Sequence, residues 1–269
     1  MKNYKLANGV LLPEVGYGTW LIKNSDAERC VTMALEAGYT HIDSAQAYGN
    51  EEGVGKAIRK SSLKREEIFL TTKVKAELKD YKKAKKSIDE SLKKLGLDYI
   101  DLILIHCPQP WILYGNKKLR YFKENIEVWK ALEEAYKEGK VRSIGVSNFR
   151  IDDLENIFNN CRIKPMVNQI YCHVGDVPFE LIKFCQDNDV VVESYSPIDH
   201  GRDLKNKNLI KMAEKYGVSV AQLCIKYTLQ IDTVSLPKAS SKAHIEENLK
   251  LDFEISKEDM EFLNNLSQK

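Results

Sequence analysis

Four side chains that can hold or transfer a proton lie near the ends of three apolar runs. The first run ends in Asp43, with Tyr48 shortly after it, the second ends in Lys73 and the third in His106. Tyrosine has an ordinary pKa of about 10, so it exchanges protons poorly near neutrality unless a cation stabilises its phenolate. Lys73 can be that cation, with Asp43 holding its ammonium in place, and we expect the pKa of Tyr48 to be lowered. Tyr48 is then a candidate general acid, and His106 a candidate to orient the oxygen that it protonates.

The elements that must position these side chains follow a repeating pattern. Eight short apolar runs alternate with segments whose apolar residues recur three or four positions apart, which is typical of alternating strands and helices. The predicted strands are 15–17, 40–43, 68–72, 99–106, 142–146, 166–170, 190–195 and 233–236. Eight such units in about 250 residues predict an α/β protein with a closed (β/α)8 TIM barrel. In such a barrel the active site lies at the carboxyl ends of the strands, so the four side chains can converge there.

Further elements flank the repeating units. Two short runs at 4–6 and 10–12 surround Asn8-Gly9, a dipeptide that suits the two positive φ angles of a tight hairpin turn. An extra helix is predicted at about 208–216, before a helix near 221–229, and a last helix at 256–266. We therefore expect an N-terminal β-hairpin and extra helices around a single barrel domain, 1–269.

Composition restricts the class of protein further. Of the 269 residues 43% are hydrophobic and 30% charged, and the net charge is only +2, which argues against a nucleic-acid partner. No apolar run reaches about 18 residues and the start lacks the apolar core of a signal peptide, so we expect no membrane association and a cytoplasmic location. The six cysteines form no CxxC pair, so neither disulfides nor a zinc-thiolate site is expected.

The sequence lacks clear signatures of two classes of oxidoreductase. An open dinucleotide-binding sheet needs a glycine fingerprint after its first strand, and Gly53-Val54-Gly55 lacks the third glycine. A short-chain reductase uses Tyr and Lys at YxxxK spacing, which occurs at Tyr81 and Lys85 and again at Tyr136 and Lys140. Both pairs lie on charged predicted helices, so chance explains them better.

Two further alternatives concern function. His41, Asp43, His106 and Glu193 could be the ligands of a metal-dependent hydrolase at the barrel mouth, but that function leaves Lys73 and Tyr48 without a role. A non-enzymatic role as a redox-sensing or structural partner protein is the other alternative. A Lys and an Asp on adjacent parallel strands are costly to bury without a task, which favours an enzyme.

A series of motifs in one order resembles the aldo-keto reductase family over almost the whole chain. Residues 38–51, GYTHIDSAQAYGNE, closely resemble the family's first signature. The further matches are Gly18-Thr19-Trp20, Thr72-Lys73, Leu104-Ile105-His106, Gly145-Val146-Ser147-Asn148-Phe149, Val167-Asn168-Gln169, Tyr195-Ser196-Pro197, and Leu236-Pro237-Lys238 followed by Glu247-Asn248. The resemblance implies NAD(P)H-dependent reduction of aldehydes and ketones to alcohols, without metal or flavin.

The resemblance also implies roles for individual residues. Tyr48 is the expected proton donor, Asp43 and Lys73 tune it, and His106 directs the carbonyl. The residues expected at the cofactor are Gly18, Thr19, Trp20, Asp43, Ser147, Asn148, Gln169, Tyr195, Ser196 and Pro197 at the nicotinamide end, and Lys238, Ala239, Ser240, Ser241, His244, Glu247 and Asn248 at the adenosine end. Trp20, Tyr48, His106 and Trp111 are the expected substrate pocket.

Departures from the family pattern affect the cofactor and the pocket. The family usually has Arg where this chain has His244, and Arg is always charged and grips phosphate with a planar fork. We therefore expect NADPH, with a reduced margin over NADH. Asp199, after Ser-Pro, is expected to place negative charge near the cofactor's pyrophosphate. Few residues follow the last helix, so we expect an open pocket for varied small or aromatic carbonyl substrates, in a monomer.

Overall fold

A sheet of eight parallel strands forms the centre of the computed structural model, which describes residues 2–116 and 118–266. The strands are β3 (Gly16–Gly18), β4 (His41–Asp43), β5 (Phe69–Val74), β6 (Leu102–Ile105), β7 (Ile144–Ser147), β8 (Val167–Tyr171), β9 (Val191–Tyr195) and β10 (Val234–Leu236). Each pairs with the next in chain order. The amides of Ser235 and Gly18 donate to the carbonyls of Glu14 and Pro237, at 2.8 and 2.9 Å, and join the last strand to the first. The predicted barrel is confirmed.

Helices connect the strands and cover the outside of the barrel. They are α1 (Asn24–Ala37), α2 (Glu51–Lys60), α3 (Tyr81–Leu95), α4 (Phe122–Lys137), α5 (Ile151–Asn160), α6 (Phe179–Asp187), α7 (Lys207–Tyr216), α8 (Val220–Gln230), α9 (Lys242–Glu247) and α10 (Lys257–Asn264). The two extra helices are α7 and α10, as expected. Side chains fix several helix starts: Ser219 and Gln222 form a capping box at α8, and Ser256 accepts from the amide of Asp259 at α10.

One of the strands begins later than the predicted run. The run 99–106 was predicted as one strand, but β6 begins only at Leu102. Asp101 before it is buried, and its carboxylate accepts from Arg65, from Arg142 and from the amide of Leu70. Ile100 nevertheless forms an isolated parallel bridge with Val141, so pairing in this part of the run begins before β6 itself.

The N-terminal hairpin is present, with a different turn from the predicted one. Strands β1 (Asn3–Lys5) and β2 (Leu11–Pro13) pair antiparallel. The amide of Gly9 donates to the carbonyl of Leu6, and the amide of Leu6 donates to that of Val10, which makes a three-residue loop. Of the two turn residues only Gly9 has a positive φ, 87°, as in a type I turn followed by a bulge. The tight two-residue turn predicted from Asn8-Gly9 is therefore wrong.

Helix packing explains the glycine pair that suggested a partial dinucleotide fingerprint. A Cβ atom added to Gly55 would lie 2.0 Å from the carbonyl oxygen of Leu95, and one on Gly53 would lie 2.6 Å from that of Asn24. These glycines allow α2 to approach its neighbours closely. In the part of the chain that the structure describes, no helix is long and apolar enough to cross a membrane.

Candidate active site

Three neighbouring strands and one short turn bring the four predicted side chains together. Asp43 is the last residue of β4, Lys73 lies in β5, His106 follows β6 directly, and Tyr48 ends a 3₁₀ turn after β4. The Nζ atom of Lys73 lies 2.7 and 2.8 Å from the carboxylate oxygens of Asp43 and 3.3 Å from the hydroxyl of Tyr48. It also donates to the carbonyl of Ser44 at 2.8 Å. The expected grouping is present.

Burial makes the Lys73–Asp43 pair a strongly coupled one. Lys73 has no exposed surface and Asp43 is 4% exposed. Burial disfavours the charge on Lys73, but Asp43 and Tyr48 outweigh it, so the pKa of Lys73 lies above its ordinary value. Lys73 is therefore a fixed cation beneath the Tyr48 hydroxyl.

The pKa of Tyr48 moves in the opposite direction from the one expected. Burial raises it, Lys73 lowers it, Asp43 raises it again, and the result is a pKa above the ordinary value. The expected net lowering is wrong because burial costs the phenolate more stabilisation by water than the ammonium of Lys73 returns. Tyr48 is consequently protonated over the physiological range, with a cation in place to stabilise the phenolate once a proton has left.

His106 faces Tyr48 as a neutral imidazole. Burial and the nearby ammonium of Lys73 hold the pKa of His106 well below its ordinary value. Its ring lies 5.6 Å from that of Tyr48 and 5.1 Å from that of Trp111, both edge to face. Its Nδ1 is buried without a hydrogen-bond partner among the residues the structure describes. A neutral ring held in this way can donate one hydrogen bond to an oxygen in the cleft.

The cleft above these side chains has a volume of about 760 Å³, within the range of small-molecule sites. Most of the residues predicted for the nicotinamide end and the pocket line it: Gly18, Trp20, Asp43, Tyr48, His106, Trp111, Ser147, Asn148, Gln169, Tyr195, Ser196 and Pro197. Lys238, which was predicted for the adenosine end, lines it as well. Thr19 does not, because it is fully buried and its hydroxyl donates to the carbonyl of Asp43 at 2.9 Å. Thr19 therefore stabilises the end of β4 and does not form part of the cleft surface.

The side-chain amides of Asn148, just after β7, and of Gln169, in β8, form part of one wall of the cleft. The Nδ2 atom of Asn148, which has a positive φ of 61°, donates to the carbonyl of His106 and to the hydroxyl of Ser147, both at 3.0 Å. Its Oδ1 accepts from the hydroxyl of Tyr195 at 2.8 Å. Gln169 contributes a second amide, whose NH₂ donates to Asp43 at 2.8 Å. These contacts use the N–H groups of both side-chain amides, whereas the oxygen of Gln169 accepts from no residue that the structure describes and can accept from the NH₂ group of a carboxamide.

The segment predicted for the adenosine end follows β10 and includes α9. Lys238, Ser240, Ser241 and His244 are exposed there, and Glu247 is half-buried. Ala239 and Asn248 are buried. Ser241 caps α9 by accepting from the amide of His244. The exposed side chains are available to a ligand, and Ala239 and Asn248 offer mainly backbone or packing contacts.

The charge of Asp199 is not directed at the cleft. Asp199 is buried, and its carboxylate accepts from the hydroxyl of Tyr171 and from Arg202. His173 lies between Asp199 and Asp203, with its Nε2 and Nδ1 atoms 3.8 and 3.5 Å from their carboxylates. Burial opposes a charge on His173, but the two carboxylates outweigh it and raise its pKa. The expected negative charge near the pyrophosphate is therefore neutralised within the loop.

The same three side chains raise the question of a metal site. Among the residues that the structure describes, His173, Asp199 and Asp203 bring ligand atoms within 4.8 Å of one another. However, the two carboxylates lie off different nitrogens of one ring, as around a doubly donating imidazolium, whereas a single metal ion binds only one of those nitrogens. In the described ranges, no three of His41, Asp43, His106 and Glu193 converge in this way, so the hydrolase alternative lacks its ligand set.

Several contacts near the cleft were not predicted from the sequence. His200 lies 5.2 Å from Trp20 and 5.8 Å from Tyr171, measured between ring centroids, and these rings form a wall of the cleft. Glu193, considered only as a metal ligand, accepts from Gln169 at 2.8 Å. A charged residue inside the apolar run 190–195 was a signal for Glu193, whereas the ring contacts of His200 depend on loop conformation.

The YxxxK pairs have ordinary surface roles. Tyr81 and Lys85 both contact the carboxylate of Glu134 on α4, and Lys140 pairs with Asp89 and with Glu138. None of these residues lines the cleft. The interpretation of both pairs as chance matches is consistent with these contacts.

Comparisons with known proteins agree with the geometry. The sequence pattern of the Aldo/keto reductase family matches residues 14–268. The 9,11-endoperoxide prostaglandin H2 reductase of Trypanosoma cruzi is 39% identical over 98% of this chain and 90% of that protein. The glyoxal reductase of Bacillus subtilis is 40% identical, over 98% and 92%. The crystal structure of an aldo/keto reductase from Brucella melitensis superposes with a TM-score of 0.90, at 40% identity and 98% coverage of both chains. With this fold and this grouping of side chains, the chain belongs to the aldo/keto reductase family.

Proposed function

We propose that this protein reduces aldehydes and ketones to alcohols with NADPH, and that Tyr48 is the general acid. One observation carries the proposal: the Tyr48 hydroxyl lies 3.3 Å from the buried ammonium of Lys73 and faces the cleft beside the neutral ring of His106. Tyr48 is a weak acid, Lys73 a fixed cation and His106 a neutral hydrogen-bond donor. Together they suit the protonation of an oxygen that gains negative charge.

The chain's own residues divide the work of the reaction. NADPH, when bound, supplies the hydride that the carbonyl carbon receives. His106 and Tyr48 hold the carbonyl oxygen by hydrogen bonds that strengthen as negative charge develops on it. Tyr48 then gives its proton to that oxygen, and Lys73, held by Asp43, stabilises the phenolate that remains. The raised pKa of Tyr48 keeps the hydroxyl protonated until that step.

Residues of the cleft wall suit the nicotinamide end of the cofactor. We assign its carboxamide to Ser147, Asn148 and Gln169, and a stacking contact with its ring to Tyr195. Two observations support this assignment: all four residues line the cleft, and the amide oxygen of Gln169 accepts from no residue that the structure describes.

At the adenosine end the exposed Lys238, Ser240 and Ser241 are the proposed contacts of the ribose phosphate. His244 is a weaker phosphate ligand than Arg because it lacks the permanent charge and the planar fork. We therefore propose NADPH as the preferred cofactor, with NADH as a usable alternative.

The mouth of the cleft favours small or aromatic carbonyl compounds. Trp20 and Trp111 line it and are 45% and 38% exposed, so they offer flat apolar faces to a substrate. The relatives named above differ in substrate, an endoperoxide in one and glyoxal in the other, so the family alone does not select one. An aromatic aldehyde and a dicarbonyl are the substrate classes we propose.

The test is the rate at which the purified protein oxidises NADPH, and in parallel NADH, with an activated aromatic aldehyde and with glyoxal. We expect turnover with both carbonyl compounds, faster with NADPH, and unchanged by a chelator. A rate abolished by the chelator would favour the metal-dependent alternative, and tight NADPH binding without turnover on any carbonyl would favour a non-enzymatic role.

A further inference from the structure

A carboxyl group lies inside the barrel with no water contact. Glu193, in the middle of β9, has no exposed surface. It faces Gln169 on the neighbouring strand β8 and His41 on β4. The Oε2 atom of Glu193 accepts from the Gln169 amide at 2.8 Å, and its Oε1 lies 3.6 Å from Nε2 of His41. A buried polar group is costly unless it is hydrogen-bonded, and Oε1 of Glu193 has no hydrogen-bond partner among the residues that the structure describes.

The Gln169 amide is held by two acceptors at once. Its Nε2 donates to Oδ1 of Asp43 and to Oε2 of Glu193, both at 2.8 Å, so both N–H bonds are used. Within the described part of the chain no group donates to the amide oxygen, and Gln169 lines the cleft. The two acceptors therefore fix which end of the amide is the oxygen and leave that oxygen for a ligand.

The charge state of Glu193 suits this arrangement. Burial, and then the charge of Asp43, raise the pKa of Glu193 to about 8. Burial also lowers the pKa of His41 to about 3, so that ring is neutral. Of the charged groups around Glu193, Asp43 opposes its ionisation and Lys73 favours it. At pH 7 Glu193 is mostly a neutral carboxyl, whose carbonyl oxygen can accept from Gln169 and whose hydroxyl faces His41.

We propose that Glu193 is a positioning residue, which holds the Gln169 amide so that its oxygen accepts from the carboxamide of a bound nicotinamide. The inference rests on the proposed use of NADPH and extends it by one residue. Glu193 touches neither cofactor nor substrate and acts only through Gln169. If Glu193 were purely structural, its substitution would lower the stability of the fold but would not act through the contacts that Gln169 makes.

The test measures the Kd of NADPH by quenching of intrinsic protein fluorescence, with the melting temperature as a folding control. Glu193→Met removes the acceptor at nearly constant volume, and we expect about a five- to tenfold weaker Kd, as for one lost hydrogen bond. Glu193→Gln keeps an acceptor and a donor and should stay within about twofold of the parent. Where the methionine variant does not fold, Glu193→Ser is measured in its place.

A double-mutant cycle separates positioning from packing. In a Gln169→Leu background, Glu193→Met should change the Kd by less than about twofold, because the residue through which it acts is gone. The proposal is overturned if Glu193→Met binds NADPH as the parent does, or if its effect is undiminished in the Gln169→Leu background. A parent protein that binds no NADPH overturns the proposed function itself, before any variant is compared.

Discussion

Lys73 donates to both carboxylate oxygens of Asp43, at 2.7 and 2.8 Å, and the two side chains share a site that water hardly reaches. They come from neighbouring strands, paired so that Asp43 lies opposite Thr71, two residues before Lys73. The parallel register therefore places cation and anion at the same rim of the barrel. Lys73 also contacts the hydroxyl of Tyr48, so the same pair contributes to the stability of the rim and to the proposed proton transfer.

Removing one member of this pair should be far more costly than removing both. Lys73→Met leaves Asp43 buried without its cation, and we expect the free energy of unfolding to fall by about 3 to 5 kcal/mol. The double variant Lys73→Met/Asp43→Leu carries no buried charge and should recover part of that loss. Urea unfolding of the parent and of the variants, including Asp43→Leu alone, measures this. Strictly additive losses would show that the two charges do not interact as described.

His244→Arg should shift cofactor preference toward NADPH. The position is exposed, so the change should not disturb folding, and an Arg adds a permanent charge with a phosphate-binding fork. We expect the Kd of NADPH to improve about tenfold and that of NADH to stay unchanged, as for one charge-assisted hydrogen bond.

Ala243→Arg is the matched control for this prediction, since it adds the same charge at the neighbouring exposed position of α9. It should improve NADPH binding much less. Equal gains from the two variants, or an equal gain for NADH, would mean that His244 does not face the 2′-phosphate.

Glu193→Gln should stabilise the protein progressively as pH rises. An unfolded chain loses the Glu193 proton near its ordinary pKa of 4.5, whereas the folded protein holds it until about pH 8. Folding therefore takes up a proton between these values, and the contribution of Glu193 to stability is lost as pH rises through this window. The gap between variant and parent should grow by roughly 1.4 kcal/mol per pH unit at most. Unfolding at pH 5, 6.5 and 8 measures it, and a gap that is constant with pH contradicts the buried, protonated carboxyl.

The barrel and the four central side chains could be predicted because both depend on local patterns. Apolar runs that end in Asp43, in Lys73 or just before His106 indicate where the strands lie. They also indicate which polar groups lie at the same rim. Parallel pairing of these strands then brings the polar groups together. The extra helix α7 was likewise recognisable from its spacing of apolar residues.

Features that depend on tertiary surroundings could not be predicted. The direction of the Tyr48 pKa depends on how much water reaches the hydroxyl, and this balance between burial and Lys73 has no local signature. The burial of Asp199 depends on how its loop folds against His173. The hairpin turn differed because Asn8-Gly9 is compatible with two turn types, and the register of Tyr4 opposite Leu12 selects the longer loop.

The general-acid role of Tyr48 is tested most directly by Tyr48→Phe in a single-turnover measurement of NADPH oxidation with an aromatic aldehyde. Tyr114→Phe, a tyrosine beside Trp111 with no proposed proton to give, is the control. We predict that the rate of Tyr48→Phe falls by about 10² to 10⁴, while the Kd of NADPH and the melting temperature stay near those of the parent, and that Tyr114→Phe keeps the parent rate. A Tyr48→Phe protein that folds, binds NADPH and still reduces the aldehyde within about tenfold of the parent rate would contradict the proposed proton donor.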